Sequence, residues 1–178
     1  GWSRESSGRM QQISMAQDLM AMRKSALVLY FDQERGYGRR KIGDVWWAGR
    51  GGNADLMLLL AHIIVRRRDS WPGAKIRLIR VIDSKDGREQ TMTHMKQTLA
   101  AVRVIAEPVV IVRDPESQTI GDIMEAWSQE TDLALLGLKM PSHVGVEQYS
   151  SGIELLMSRI GSVLLVHSAQ DEDILEVE

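Results

Sequence analysis

The sequence predicts a three-layer, doubly wound α/β fold, a parallel sheet of about five strands with helices on both faces. Three observations carry the prediction. From residue 42 onward, short apolar runs alternate with stretches of helical length, the pattern of parallel βαβ units with right-handed crossovers. Runs such as LALLGL at 133–138 and SVLLVH at 162–167 are almost continuously apolar, as expected when both sheet faces are covered. Trp46 and Trp47 are adjacent in one such run, so they point to opposite faces and both faces need cover.

Taken in order, residues 1–8 are polar and read as loose. Residues 9–23 read as an amphipathic helix with Met10, Ile13, Met15, Ala16 and Met20 on one broad side. A methionine-rich face either fills a core or adapts to a docking partner. Ala26–Phe31 is a strand, followed by a loop rich in Gly, Arg and Lys over Asp32–Lys41. Ile42–Trp47 is the next strand, and Gly51-Gly52 turn it into a helix over 53–67. Strands at 75–82, 108–112, 133–138 and 162–167 then alternate with helices at 89–104, 118–130 and 147–160. Counting Ile42–Trp47 as first, the expected strand order is 3-2-1-4-5, with that strand central.

Strand 26–31 fits this scheme least well. No helix separates it from strand 42–47, so it is no ordinary parallel neighbour. Either it closes, with helix 9–23, a preceding half-domain or linker, or it is an antiparallel edge strand. The resulting division is 1–31 as an N-terminal helix and strand, 32–168 as the α/β domain, and 169–178 as an acidic tail.

The totals narrow the function. The 178 residues suffice for one α/β domain with a core. Net charge is −2, so no global basic field recruits nucleic acid. The chain has no cysteine, which removes disulfides, thiolate metal sites and cysteine nucleophiles. The longest apolar run, Leu56 to Val65, is broken by His62 and falls short of the roughly 20 residues a bilayer needs. Gly1 in place of an initiator methionine leads to the expectation of an excised or processed segment.

Few constellations invite chemistry. The Gly51-Gly52-Asn53 turn could cradle an anion, with Asn53 as helix N-cap, but Asp55 is negative where a phosphate would sit and no Gly-Lys-Ser/Thr follows. Gly36-Tyr37-Gly38 precedes a strand, not a helix, so it is no dinucleotide fingerprint. Asp32, Asp83 and Asp114 each follow a strand, where ligands of open α/β sheets gather and where turn aspartates are also common. His62, His94, His143 and His167 show no metal-ligand spacing. No catalytic, cofactor-binding or metal-ligating residue is assigned, and the chain reads as no enzyme. Helix 53–67 is apolar almost all round, which demands a second covering surface beyond the sheet. The Arg66-Arg67-Arg68 cluster at its end suits the helix dipole or anionic lipid headgroups.

Several stretches carry a resemblance. Ile42-Gly-Asp44-Val-Trp46-Trp47, then Gly51-Gly52, the leucine-rich helix, Trp71 and Lys75-Ile76-Arg77-Leu78-Ile79 follow one another in a distinctive order. Farther on come Leu138-Lys139-Met140-Pro141, Tyr149, Leu155 and Leu164-Leu165-Val166, while Ala26–Phe31 matches a linking segment. Over roughly residues 25–167 the chain resembles the C-terminal cytoplasmic domain of cation–chloride cotransporters of the Na–K–Cl and K–Cl type.

The resemblance implies a universal-stress-protein-like fold in a dimeric cytosolic domain of two halves, below a twelve-helix transporter. The implied function is regulation and assembly at the cytoplasmic side of the cell membrane. Its partners would be a second copy and the transporter's own membrane part; contact with the membrane surface is an expectation of the Arg66-Arg67-Arg68 cluster itself. Two departures stand out. Arg50 replaces the acid that the family carries before its glycine pair. Only Asp114-Pro115-Glu116-Ser117 stands where animal members hold a long regulatory insertion, so phospho-regulation of that kind is not expected. The alternative is an adenine-nucleotide-sensing module, since universal stress proteins often bind ATP through a glycine loop after the fourth strand. Here Gly137 is followed by Lys139-Met140-Pro141, where proline and bulk replace glycine. A doubly wound enzyme is the third reading.

Overall fold

The computed structural model describes residues 2, 5–49, 52–138 and 145–169. Arg50, Gly51, Lys139, Met140, Pro141, His143 and the acidic tail beyond Ala169 lie outside the described residues. Helix α1 (Ser6–Ala21) leads to strand β1 (Ala26–Tyr30) and the loop to β2 (Ile42–Trp46). Then follow α2 (Gly52–Arg66), β3 (Lys75–Ile82), α3 (Arg88–Val102), β4 (Glu107–Val112), α4 (Ile120–Trp127), β5 (Leu133–Gly137), α5 (Val146–Ile160) and β6 (Val163–His167).

One six-stranded sheet has the order β1-β6-β5-β2-β3-β4. Strands β2 to β6 are all parallel, and their order is the expected 3-2-1-4-5. Strand β1 joins them as an antiparallel edge strand on β6, with Ala26 opposite His167 and Tyr30 opposite Val163. Of the two readings open for this strand, the structure adopts the edge.

The two tryptophans divide the core as their alternation requires. Trp47 packs with Met57, Leu58 and Ala61 of α2 and Met95 and Leu99 of α3. Trp46 packs on the other face with Ile123 of α4, Met157 and Ile160 of α5, and Ala16 of α1. Full burial of Ile79 or Leu135 between these layers is worth about 1.5–3 kcal/mol each.

Three expectations need correction. Residues 6–8 are not loose but form the first turn of α1. Met10 and Met15 do not fill the core as one of the two readings of that side had it but are exposed; Ile13 and Ala16 are buried there. One narrow stripe suffices because α1 rests in the groove between β1 and α5, tied by an Arg9–Glu154 ion pair of 2.8 Å. The helix expected at 118–130 is shorter. Thr119 starts α4 with a reciprocal capping box to Asp122, and Ser128–Glu130 tightens into a 3-10 turn.

The loop between β1 and β2 is held to the amino edge of the parallel strands. Asp132 accepts the backbone N–H groups of Arg39 at 2.8 Å, Lys41 at 2.6 Å and Ile42 at 2.9 Å. Arg35 donates to the carbonyls of Ile160 and Ser128, both at 2.9 Å, and of Gln129 at 3.0 Å, so it caps the ends of two helical segments. Ser162 donates to the Gly36 carbonyl at 2.7 Å. Gly38 has φ +45°, and a Cβ there would stand 2.1 Å from an Asp132 carboxylate oxygen.

Candidate functional site

In a doubly wound sheet the binding crevice opens at the carboxyl ends of the strands where the order reverses, here between β2 and β5. Asn53 occupies the described part of that crevice. It is not the N-cap expected of it but lies inside the first turn of α2. Its side-chain oxygen accepts the backbone N–H of Ser168 at 2.6 Å, and its amide nitrogen lies 3.4 Å from the Leu138 carbonyl. One side chain thereby ties α2 to the ends of β5 and β6. Gly137 leaves room for it, since a Cβ there would come within 3.3 Å of the Asn53 amide. Asp55 is buried in the same first turn.

Next to the crevice the Trp47 indole carries two ring contacts. The His94 ring stacks on it at 5.4 Å and the Arg80 guanidinium lies over it at 5.2 Å. Gly49, at φ +117°, passes close to Arg80; a Cβ there would meet its guanidinium at 3.2 Å.

The three strand-end aspartates do not converge. Asp83 and Asp114 lie at the carboxyl edge, but Asp32 follows the antiparallel β1 and so falls at the opposite edge. Asp83 pairs with Arg113 at 2.8 Å, which holds its carboxyl below the ordinary value. Asp114 accepts from the Ser117 hydroxyl and the Glu116 N–H, and these bonds lower it too. Asp32 accepts from the N–H groups of Glu34 and Arg35 in a local turn. Of the histidines, His62 sits one turn before Arg66, His94 on Trp47, and His167 in β6. No cluster of three or more metal-ligating side chains forms among the described residues.

Helix α2 has the second apolar face that its sequence demanded. Ala54, Met57, Leu58 and Ala61 are buried against the sheet, while Leu59 and Ile63 are each 51% exposed on the outer side. Leu56 and Leu60 flank them, half-buried. On the same side of the sheet, β1 leaves Leu27 exposed and Leu29 half-buried, and Phe31 just after it is exposed. No described helix is long and apolar enough to cross a membrane.

Neither a protein-family model nor a curated protein sequence matches the chain. Among solved structures it is similar to the crystal structure of the cytoplasmic domain of a prokaryotic cation chloride cotransporter. The TM-score is 0.69 at 16% identity, over 97% of this chain and 63% of that one. The likeness is one of fold. It supports the three-layer, universal-stress-protein-like arrangement that the strand order displays. This chain spans less than two thirds of that neighbour's length.

The least expected polar feature lies inside the sheet. Asp44, in the middle of β2, is fully buried. Arg77 of β3 grips it through both carboxylate oxygens, and the Thr131 hydroxyl donates to one of them. Burial pushes the Asp44 carboxyl above its ordinary value, while Arg77 and Thr131 pull against that rise. Arg77 also lies over the ring of Trp127 at 5.9 Å. A lone acid in the apolar run Ile42–Trp47 signals that a cation must meet it, but the register that brings Arg77 opposite Asp44 is a property of the assembled sheet.

Proposed function

We propose that this chain is a cytoplasmic assembly and regulatory module of a membrane transporter of the cation–chloride cotransporter type, without chemistry of its own. The observation that carries the reading is the likeness of fold over 97% of the chain to the cytoplasmic domain of such a transporter. The ordered stretch from Ile42 to Ile79 and the later Tyr149, Leu155 and Leu164-Leu165-Val166 support it independently. The outer face of α2 supports a role in assembly, because exposed contiguous apolar surface of this kind marks contact with another chain. In this reading a second copy covers Leu59 and Ile63, and the membrane-embedded part of the transporter performs the ion movement.

The test is chloride-dependent rubidium uptake by the full-length protein in reconstituted vesicles, with and without residues 1–178. Chloride-coupled uptake that weakens, or an assembly that falls apart, on removal of the module is the expected result. A full-length protein with no chloride-coupled cation flux overturns the reading.

A further inference from the structure

We propose that the amino edge of the sheet is a docking face for an anionic membrane surface. Three adjacent strands begin there, and the connections entering them are unusually basic. Arg39, Arg40 and Lys41 precede β2, and all three are exposed. Arg66 ends α2, and Arg67, Arg68 and Lys75 continue from it as the exposed approach to β3. Arg103 closes α3 and leads towards β4. The connections are physically joined: the Lys75 N–H donates to the Lys41 carbonyl at 2.7 Å, and Lys41 Nζ reaches the Pro72 carbonyl.

These eight cations face three exposed carboxylates on the same connections, Glu34, Asp69 and Glu107. Glu130 stands on a neighbouring one. None of the eight forms an ion pair with a described carboxylate. A chain of net charge −2 thus concentrates positive charge along one rim. Neighbouring strands lie about 4.8 Å apart, so the rim of three fits within about one Debye length and acts as a single charged surface.

The apolar content of the rim decides the partner. Ile105, in the turn between α3 and β4, is 91% exposed. Arg103, in the left-handed conformation at φ 55°, sets the turn that presents it. An isoleucine among cations suits insertion at the boundary between headgroups and acyl chains. It has no comparable use on a phosphodiester backbone. Nucleic-acid surfaces of this kind add freely exposed aromatic rings for stacking, whereas here Trp71 is buried, Tyr37 is half-buried against it, and Phe31, 44% exposed, packs edge-on against Tyr37.

The test is co-sedimentation of this chain with vesicles of phosphatidylcholine containing about one third phosphatidylserine, at about 0.1 M salt. Binding is expected there, with release at about 1 M salt and none on pure phosphatidylcholine. Arg66→Glu/Arg67→Glu/Arg68→Glu lowers partitioning by about a hundredfold or more, at roughly fivefold per cation. Ile105→Ser lowers it by about tenfold. Lys75→Glu/Arg103→Glu is the second variant, and circular dichroism reports whether each folds. Equal binding to neutral vesicles, no binding to anionic ones, or indifference to these substitutions overturns the proposal. So does tighter binding of polyuridylate that ignores Ile105→Ser. Only this chain enters the assay, so its failure leaves the transporter reading standing, and absent chloride flux leaves the rim standing.

Discussion

Arg77 holds Asp44 by two parallel hydrogen bonds, Nε to Oδ1 at 2.7 Å and Nη2 to Oδ2 at 2.8 Å, across the central pair of parallel strands. The acid is 0% exposed, so its charge survives only in that grip. Arg77→Met therefore leaves a buried carboxylate without its counter-charge and costs about 3–5 kcal/mol at neutral pH, measured by urea unfolding. Removing Arg77 also removes the main influence lowering the Asp44 carboxyl, already raised by burial. A raised acid binds its proton more readily in the fold than in the unfolded chain, so its contribution falls as pH rises through the raised value. The deficit of the variant against the parent is expected to shrink towards acid pH. A deficit independent of pH would refute this account.

The Asp132 clamp predicts a second pair of outcomes. Gly38→Ala puts a methyl group where an Asp132 oxygen lies, at a backbone angle that alanine resists. It costs about 2 kcal/mol or more in urea unfolding. Asp132→Ala orphans three N–H groups and costs a similar amount. Because both break the same clamp, the double variant loses much less than the two singles together. Full additivity would show that the two residues act apart.

The capping box of α4 predicts a pH effect of opposite sign to that of Asp44. Bonds from the Thr119 hydroxyl and N–H hold Asp122 below its ordinary value of 3.8. Its contribution is complete above that value and is lost as pH falls through it towards the lowered one. Asp122→Asn is accordingly less stable than the parent at neutral pH, and the gap narrows below the ordinary value. A gap that widens in acid would contradict the assignment.

Self-association through α2 predicts that Leu59→Asp/Ile63→Asp converts an associating chain into a monomer without loss of fold. Sedimentation velocity at high micromolar concentration measures it. A parent chain that stays monomeric there, or a variant that associates equally, rules out this face.

Calorimetric titration of ATP with Mg²⁺ is expected to give no low-micromolar binding. Asn53 takes up the described crevice, Asp55 stands in the first turn of α2, and no lysine follows the glycine pair. A low-micromolar constant would favour the nucleotide-sensing alternative.

The central scaffold was legible because its signals are local. Paired tryptophans, continuous apolar runs and helical spacings fix β2 to β6 and their order without knowledge of any contact. The outer face of α2 was legible too, since a helix apolar on every side cannot be satisfied by one sheet. Met10 and Met15 misled because periodicity tells which residues share a side, not how wide a groove receives them. Asn53 misled because its identity suits a cap, while its actual partners, Ser168 and Leu138, are distant in sequence. The Asp132 and Arg35 contacts were invisible for the same reason: their partners lie about ninety or more residues away.

The pairing of β1 with β6 also orders events in time. Ala26 meets His167 and the Ser25 hydroxyl accepts the Ala169 N–H, so an early segment is placed by one of the latest. During synthesis α1 and β1 emerge before the elements that receive them and have no surface to join until α5 and β6 have formed. Closing so long a loop is entropically costly only in the logarithm of its length, so docking is slow in arrival rather than weak in outcome. Until then the strand Ala26–Tyr30 stands unpaired, and the sheet is closed at this edge by the earlier of the two strands.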